Sequence, residues 1–235
     1  MLSLLRYNLK IVAPTLLWTG MLVTLLVGMV LFNQFRNADQ FKVGDAGSLA
    51  EHLVPLIAAF FSAGVLDAEL KRGAHELLRS KRTPLWQTVA YRLAVSVGLA
   101  VLIGAGVLGA LHFGIKHLPL GMLLLAGVPT ALTLALVSLW TRVRFGNVFI
   151  GYVVAIAVWV GNVITSILVA ALGVQLNPLL NLSSYTDRLN AIEADALQTT
   201  PYVDWWWMSK LALLVVSAIV FWSVTRRVEH LVEGD

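Results

Sequence analysis

The stretch WQTVAYRLAVSVGLAVLIGAGVLGALHF, residues Trp86 to Phe113, carries one formal charge, Arg92, near its start. About 20 mostly apolar residues cross the hydrocarbon of a bilayer, so this stretch reads as a membrane span. Trp86 and Tyr91 sit where an aromatic belt meets the headgroups. The connector Gly114 to Pro119 is so short that the next apolar run, Leu120 to Trp140, must return antiparallel beside it.

Working outward, Ile11 to Phe32 forms a first span, expected to stay as an anchor, and Ala50 to Val65 a second. A polar loop, Asn33 to Ser48, lies between them. Beyond Arg142 and Arg144 come a fifth span, Val148 to Leu172, and a long loop, Gly173 to Asp204. The sixth span is Trp205 to Val224, which runs into Arg226 and Arg227. Met1 to Lys10 reads as an interfacial helix. The expectation is an all-α integral membrane protein with a single transmembrane domain over residues 1–235.

Composition agrees. The chain is 58% hydrophobic and 13% charged, against about 25% charged in soluble domains, so the bilayer is part of its solvent. Its net charge of +4 reads as membrane orientation rather than nucleic-acid affinity. Twelve of the 17 Lys and Arg, including Arg6, Lys10, Lys71, Arg72, Arg92, Arg142, Arg144, Arg226 and Arg227, fall on one side of a six-span layout. Arg36, Lys42, Lys116, Arg188 and Lys210 fall on the other. Lys and Arg gather in cytoplasmic loops, which puts both termini in the cytoplasm of a multi-pass protein of the plasma or inner membrane. Without cysteines, disulfides, cysteine-ligated metals and thiol nucleophiles are excluded.

Between the second and third spans lies a charged island, DAELKRGAHELLRSKRTP, Asp67 to Pro84. Leu70, Ala74, Leu77 and Leu78 share one helical face, while Lys71, Arg72, Glu76 and Arg79 cover the rest. The order of Glu69, Lys71, Arg72, Gly73, Glu76, Leu77 and Leu78, closed by Pro84, resembles the E-x-[EK]-[KR]-G-[ST]-x-E-x-L segment of ABC type-2 exporter permeases. Ala74 stands where that family often has Thr or Ser. The resemblance extends to six spans, an amphipathic N-terminal helix and a longer outer loop before the last span.

That resemblance implies an amphipathic coupling helix that docks on a separate cytoplasmic ABC ATP-binding subunit. Glu69, Arg72, Gly73, Glu76, Leu77 and Leu78 would make the contact. ATP and Mg would sit on that partner, with no cofactor or metal on this chain. A second permease, identical or a sister, would complete the pathway. In keeping with this, the chain has no GxxxxGK[ST] phosphate-cradling loop. From charge alone, the island reads rather as a solvated connector with pairs such as Arg72 and Glu76; the ordered motif in the expected inter-span loop favours the coupling helix.

Other polar residues weigh less. Asn162 is a candidate pathway or interface residue, because an amide within a span needs a partner. Thr130, Thr133 and Thr165 are expected to bond the preceding helical turn. Glu51 and His52, adjacent and so about 100° apart on a helix, read as interfacial polar residues. His75, His112, His117 and His230 fall on different segments. Gly106 with Ala110 and Gly151 with Ala155 have the small-xxx-small spacing of close helix packing. Leu180 to Leu197 is too apolar for a tether and predicts one or two short helices on the span ends. Trp205, Trp206 and Trp207 read as an interfacial anchor. A polytopic membrane enzyme would need converging catalytic groups, and no nucleophile–base pair or metal motif stands out. A channel or scaffold would fit the layout but leave the island unexplained.

Overall fold

The computed structural model describes residues 20–66, 85–172, 181–194 and 205–233. These residues are helical, with no strand among them. In chain order the helices are α1 (Gly20–Arg36), α2 (Val43–Ala63), α3 (Leu85–Gly114), α4 (Leu120–Phe145), α5 (Val148–Leu172), α6 (Ser184–Glu193) and α7 (Trp206–Glu233). Five of them, α2, α3, α4, α5 and α7, are long and apolar enough to cross a membrane. The first expected span begins outside the described residues, and its remainder lies in the shorter apolar α1. The interfacial helix expected at 1–10 and the island at 67–84 lie outside them as well.

Helix α2 is the centre of the bundle. Every residue from Val54 to Ala63 is buried, and the helix packs on α3, α4 and α5. A helix apolar all round belongs inside, and Ala58, Ala59 and Ala63 let its neighbours approach. The span also starts earlier than its hydropathy suggests, since Val43–Ser48, read from sequence as polar loop, is already helical. Between the two halves a π turn covers Leu49–Leu53. Pro55 explains its place, because a residue without an amide hydrogen cannot continue the helical ladder.

Two ends can be told apart. At one, Val65, Leu66, Val89, Leu139, Val143, Val224 and Val228 form a buried cluster. There the buried Arg92 Nη1 donates to the Val65 carbonyl at 2.7 Å, tying the start of α3 to the end of α2. Arg142, Arg144, Arg226 and Arg227 follow from α4 and α7, so we call this the basic end. At the other, α6 packs on the beginnings of α2 and α7. Cross-helix bonds from Lys210 to Thr130, from Thr133 to Ser217 and from Trp140 to Ser223 step along α4 and α7 in the same direction. These two helices are therefore parallel. Gly146, at φ +73°, ends α4 and sends its N–H to the Arg142 carbonyl at 2.9 Å. That left-handed C-cap favours glycine.

The small-residue spacing works within the chain at α5. Gly151 lies against Ala63 and the Ser138 carbonyl, and Ala155 is buried with Ala59 and Leu134. Gly106 faces open space. The closest approach of a described glycine to the backbone of another helix is at Gly127 in α4, where an added Cβ would lie 2.6 Å from the Ala50 carbonyl oxygen. Backbone cannot yield as a side chain can. Gly127→Ala should therefore lower stability by about 1–3 kcal/mol, read as a lower thermal midpoint in detergent. Gly109→Ala, with nothing within 4 Å, is the control and should not fall.

Candidate functional site

The most polar point inside the bundle is built around Glu51. The π turn of α2 carries this side chain, which is 0% exposed. Its carboxylate meets α6 at the helix N-terminus. Tyr185 N–H donates to Oε1 at 3.1 Å, Thr186 N–H to Oε2 at 2.7 Å, and the Thr186 hydroxyl to Oε2 at 2.7 Å. Those two amides belong to the second and third residues of α6, among the first-turn donors a helix cannot satisfy itself. Ser183 sits at the capping position but makes no side-chain cap bond. Glu51 caps α6 from another helix, and its charge suits the positive end of the helix dipole.

The balancing cation is Lys210 of α7, 5% exposed. Its ammonium pairs with Glu51 Oε1, donates to Thr130 Oγ1 at 3.0 Å and to the Leu182 carbonyl at 2.9 Å. An ammonium has three hydrogens, and each has an acceptor. Neither charge is left without compensation, which is what makes such burial tolerable.

The turn before α6 is held from three further helices. Asn162 of α5 accepts from Leu182 N–H at 3.3 Å and donates to Ser183 Oγ at 3.4 Å. Ser209 of α7 donates to the Asn181 carbonyl at 2.7 Å. Thr130 of α4 donates to the Leu182 carbonyl at 3.2 Å. Asn181 closes the turn on itself, accepting from Ser183 N–H at 2.9 Å and donating to Asp187 at 2.6 Å. Burial raises the Asp187 carboxyl above the ordinary carboxylate range, and the Asn181 bond pulls it partly back. Helices α2, α4, α5 and α7 thus grip one short helix. The arrangement is a clasp.

Several expectations change here. Glu51 is not an exposed polar residue at the span end but is wholly buried and paired. His52 does point elsewhere, packing edge-on against Trp159 with ring centroids 6.0 Å apart. Lys210 counts with the cations at this end but is a buried partner of Glu51 rather than a surface charge. Thr130 reaches across to the α6 turn instead of bonding its own helix. Thr133 does bond the Pro129 carbonyl at 2.8 Å, and Thr165 the Gly161 carbonyl at 2.7 Å. Asn162, singled out from sequence, belongs to the clasp. Glu69, Arg72, Gly73, Glu76, Leu77 and Leu78 lie outside the described residues. The short helix expected in the loop before the last span is α6.

Two histidines read as scattered are neighbours. Leu118 N–H donates to His112 Nδ1 at 2.8 Å, which leaves Nε2 to donate to His117 Nδ1, 3.3 Å away. The pair fixes the α3–α4 connector; among the described residues no three His, Asp or Glu are grouped to hold a metal. Nearby, Lys116 and Glu193 form a loose, half-exposed ion pair at 3.9 Å. Trp205 and Trp207 are exposed as an interfacial anchor would be, whereas Trp206 stacks on Tyr185 with centroids 4.7 Å apart.

Compared with protein-family models, curated proteins and solved structures, the chain matches none.

Removing one partner of a buried pair costs about 3–5 kcal/mol because the other charge remains. Lys210→Met should therefore destabilise the protein strongly, and Glu51→Gln added to it should recover much of the loss. Thermal unfolding in detergent measures both; a Lys210→Met variant as stable as the parent would refute the clasp.

Proposed function

We propose that this chain is the membrane-spanning permease subunit of an ATP-driven exporter of the ABC type-2 class. It acts as a homodimer or beside a sister permease, and force comes from a separate cytoplasmic ABC ATP-binding subunit that carries ATP and Mg. The observation that carries this reading is the segment ELKRGAHELLRSKRTP and the way its flanks are held. Leu66 before it and Val89 after it share one buried cluster, and Arg92 bonds the Val65 carbonyl. An inter-span segment with both feet fastened transmits a push to the helices that carry it.

Helix α2 is the lever. It runs from the island to the clasp, about 20 Å between Val65 and Glu51 at 1.5 Å per residue. A tilt imposed at the basic end moves the carboxylate that caps α6, loosening the cover over the opposite end. The cargo is amphipathic or hydrophobic (a drug, peptide or lipid-like molecule), a choice resting on family analogy. The excess of cations at the basic end supports a cytoplasmic placement for it and for both termini, in the plasma or inner membrane, with six spans in all. Helix α5, with only 11% of its span buried, has surface to give to lipid or a second permease. No catalytic role falls to this subunit.

The test is reconstitution with an ABC ATP-binding subunit, sought as an ATPase whose gene neighbours this one or whose product co-purifies with it. Glu76→Ala and Leu77→Asp should each abolish transport and permease-stimulated ATP hydrolysis while leaving membrane insertion intact. Transport at parental rate in both variants would overturn the docking role.

A further inference from the structure

At the basic end, the parallel course of α4 and α7 aligns three helical pairs, each one turn apart. Trp140 stands above Arg144 on α4; Trp222 stands above Arg226, and Ser223 above Arg227, on α7. The upper row is joined between the helices, since Trp140 Nε1–H donates to Ser223 Oγ at 3.1 Å. Arg226 lies over the Trp222 ring, its Cζ 5.5 Å from the centroid. Residues buried between the two helices, Leu139, Val143, Val224 and Val228, hold the pairs in register.

The lower row is three exposed guanidiniums, and among the described residues no carboxylate pairs with any of them. The contrast with the other end is informative. There Lys210 has Glu51 and Lys116 has Glu193. Like charges on one surface with no carboxylate in contact repel one another, so these arginines suit an added anion. Above it, toward the membrane centre, Trp222, Ile219 and Val215 are exposed at 62%, 61% and 61%. Guanidiniums below and apolar surface above match a molecule with an anionic head and a hydrocarbon tail. Arginine also binds phosphate through paired N–H bonds.

We propose that the basic ends of α4 and α7, with the exposed outer face of α7 above them, form a binding site for an anionic phospholipid. Its phosphate is held by Arg144, Arg226 and Arg227, its glycerol region lies against Trp140 and Trp222, and its acyl chains run along Val215 and Ile219. Basic clefts between spans take anionic headgroups in this way. The site stands independently of the exporter proposal, since it needs only this chain and a membrane.

The experiment is native mass spectrometry of the full-length protein released from detergent, titrated with phosphatidylglycerol, phosphatidylcholine and inorganic phosphate. The parent should bind phosphatidylglycerol at least about tenfold tighter than phosphatidylcholine, a difference of about 1.4 kcal/mol. The triple variant Arg144→Gln, Arg226→Gln, Arg227→Gln should lose that preference, while Arg36→Gln, at the other end, should keep it. Thermal unfolding of the triple variant without added lipid checks that the fold is intact, and Trp140→Ala alone should weaken binding with all three arginines present. Equal binding of the two lipids by the parent, or an unchanged preference in a folded triple variant, would overturn the proposal. Competition by inorganic phosphate at equal concentration would assign the site to a free anion and overturn the lipid assignment.

Discussion

A carboxylate buried in a membrane bundle must be matched donor for donor, and Glu51 sets the arrangement around it. Two backbone amides, a hydroxyl and an ammonium converge on its oxygens. Meeting that demand fixes where α6 begins, which face of α7 turns inward, and why Thr130 and Asn162 point at the same turn. Burying the pair is not in itself a source of stability, because desolvation offsets most of the attraction. What the pair supplies is uniqueness of position. A short helix with few apolar residues could otherwise sit anywhere on the bundle's end.

The two ends solve the charge problem differently. At the clasp end, Lys210 and Lys116 are paired with carboxylates of the same chain. At the basic end, Arg92 turns inward to a backbone carbonyl, while Arg144, Arg226 and Arg227 face outward. Helix α2 joins these regimes as one buried rod, interrupted only at the π turn that presents Glu51. A helix enclosed on nearly all sides can shift only if its neighbours shift with it.

Much of the fold was legible in the sequence because crossing a bilayer imposes length and apolarity on each segment separately. The runs Trp86–Phe113, Leu120–Trp140 and Val148–Leu172 match α3, α4 and α5 closely, and Gly146 marks the turn between the last two. Val43–Ser48 was not legible: its Lys42, Asp45 and glycines look like loop, and only packing against α6 makes the segment a helix. The clasp was hidden for a related reason. Glu51 and Lys210 lie far apart in sequence, each beside apolar residues, and a lone charge near a span end resembles any interfacial residue. Asn162 gave a signal because an amide in mid-span is conspicuous. The pairing of His112 with His117 depends on the chain folding back after α3, which no helical periodicity reports.

The clasp also has a history within each molecule's lifetime. Glu51 is synthesised 134 residues ahead of the Tyr185 amide that it caps, and further still ahead of Lys210. On leaving the ribosome, α2 carries an acidic group whose basic counterpart has not yet been translated. Until then Glu51 lacks the ammonium that balances it in the folded chain. The clasp can be completed only after α7 has been made.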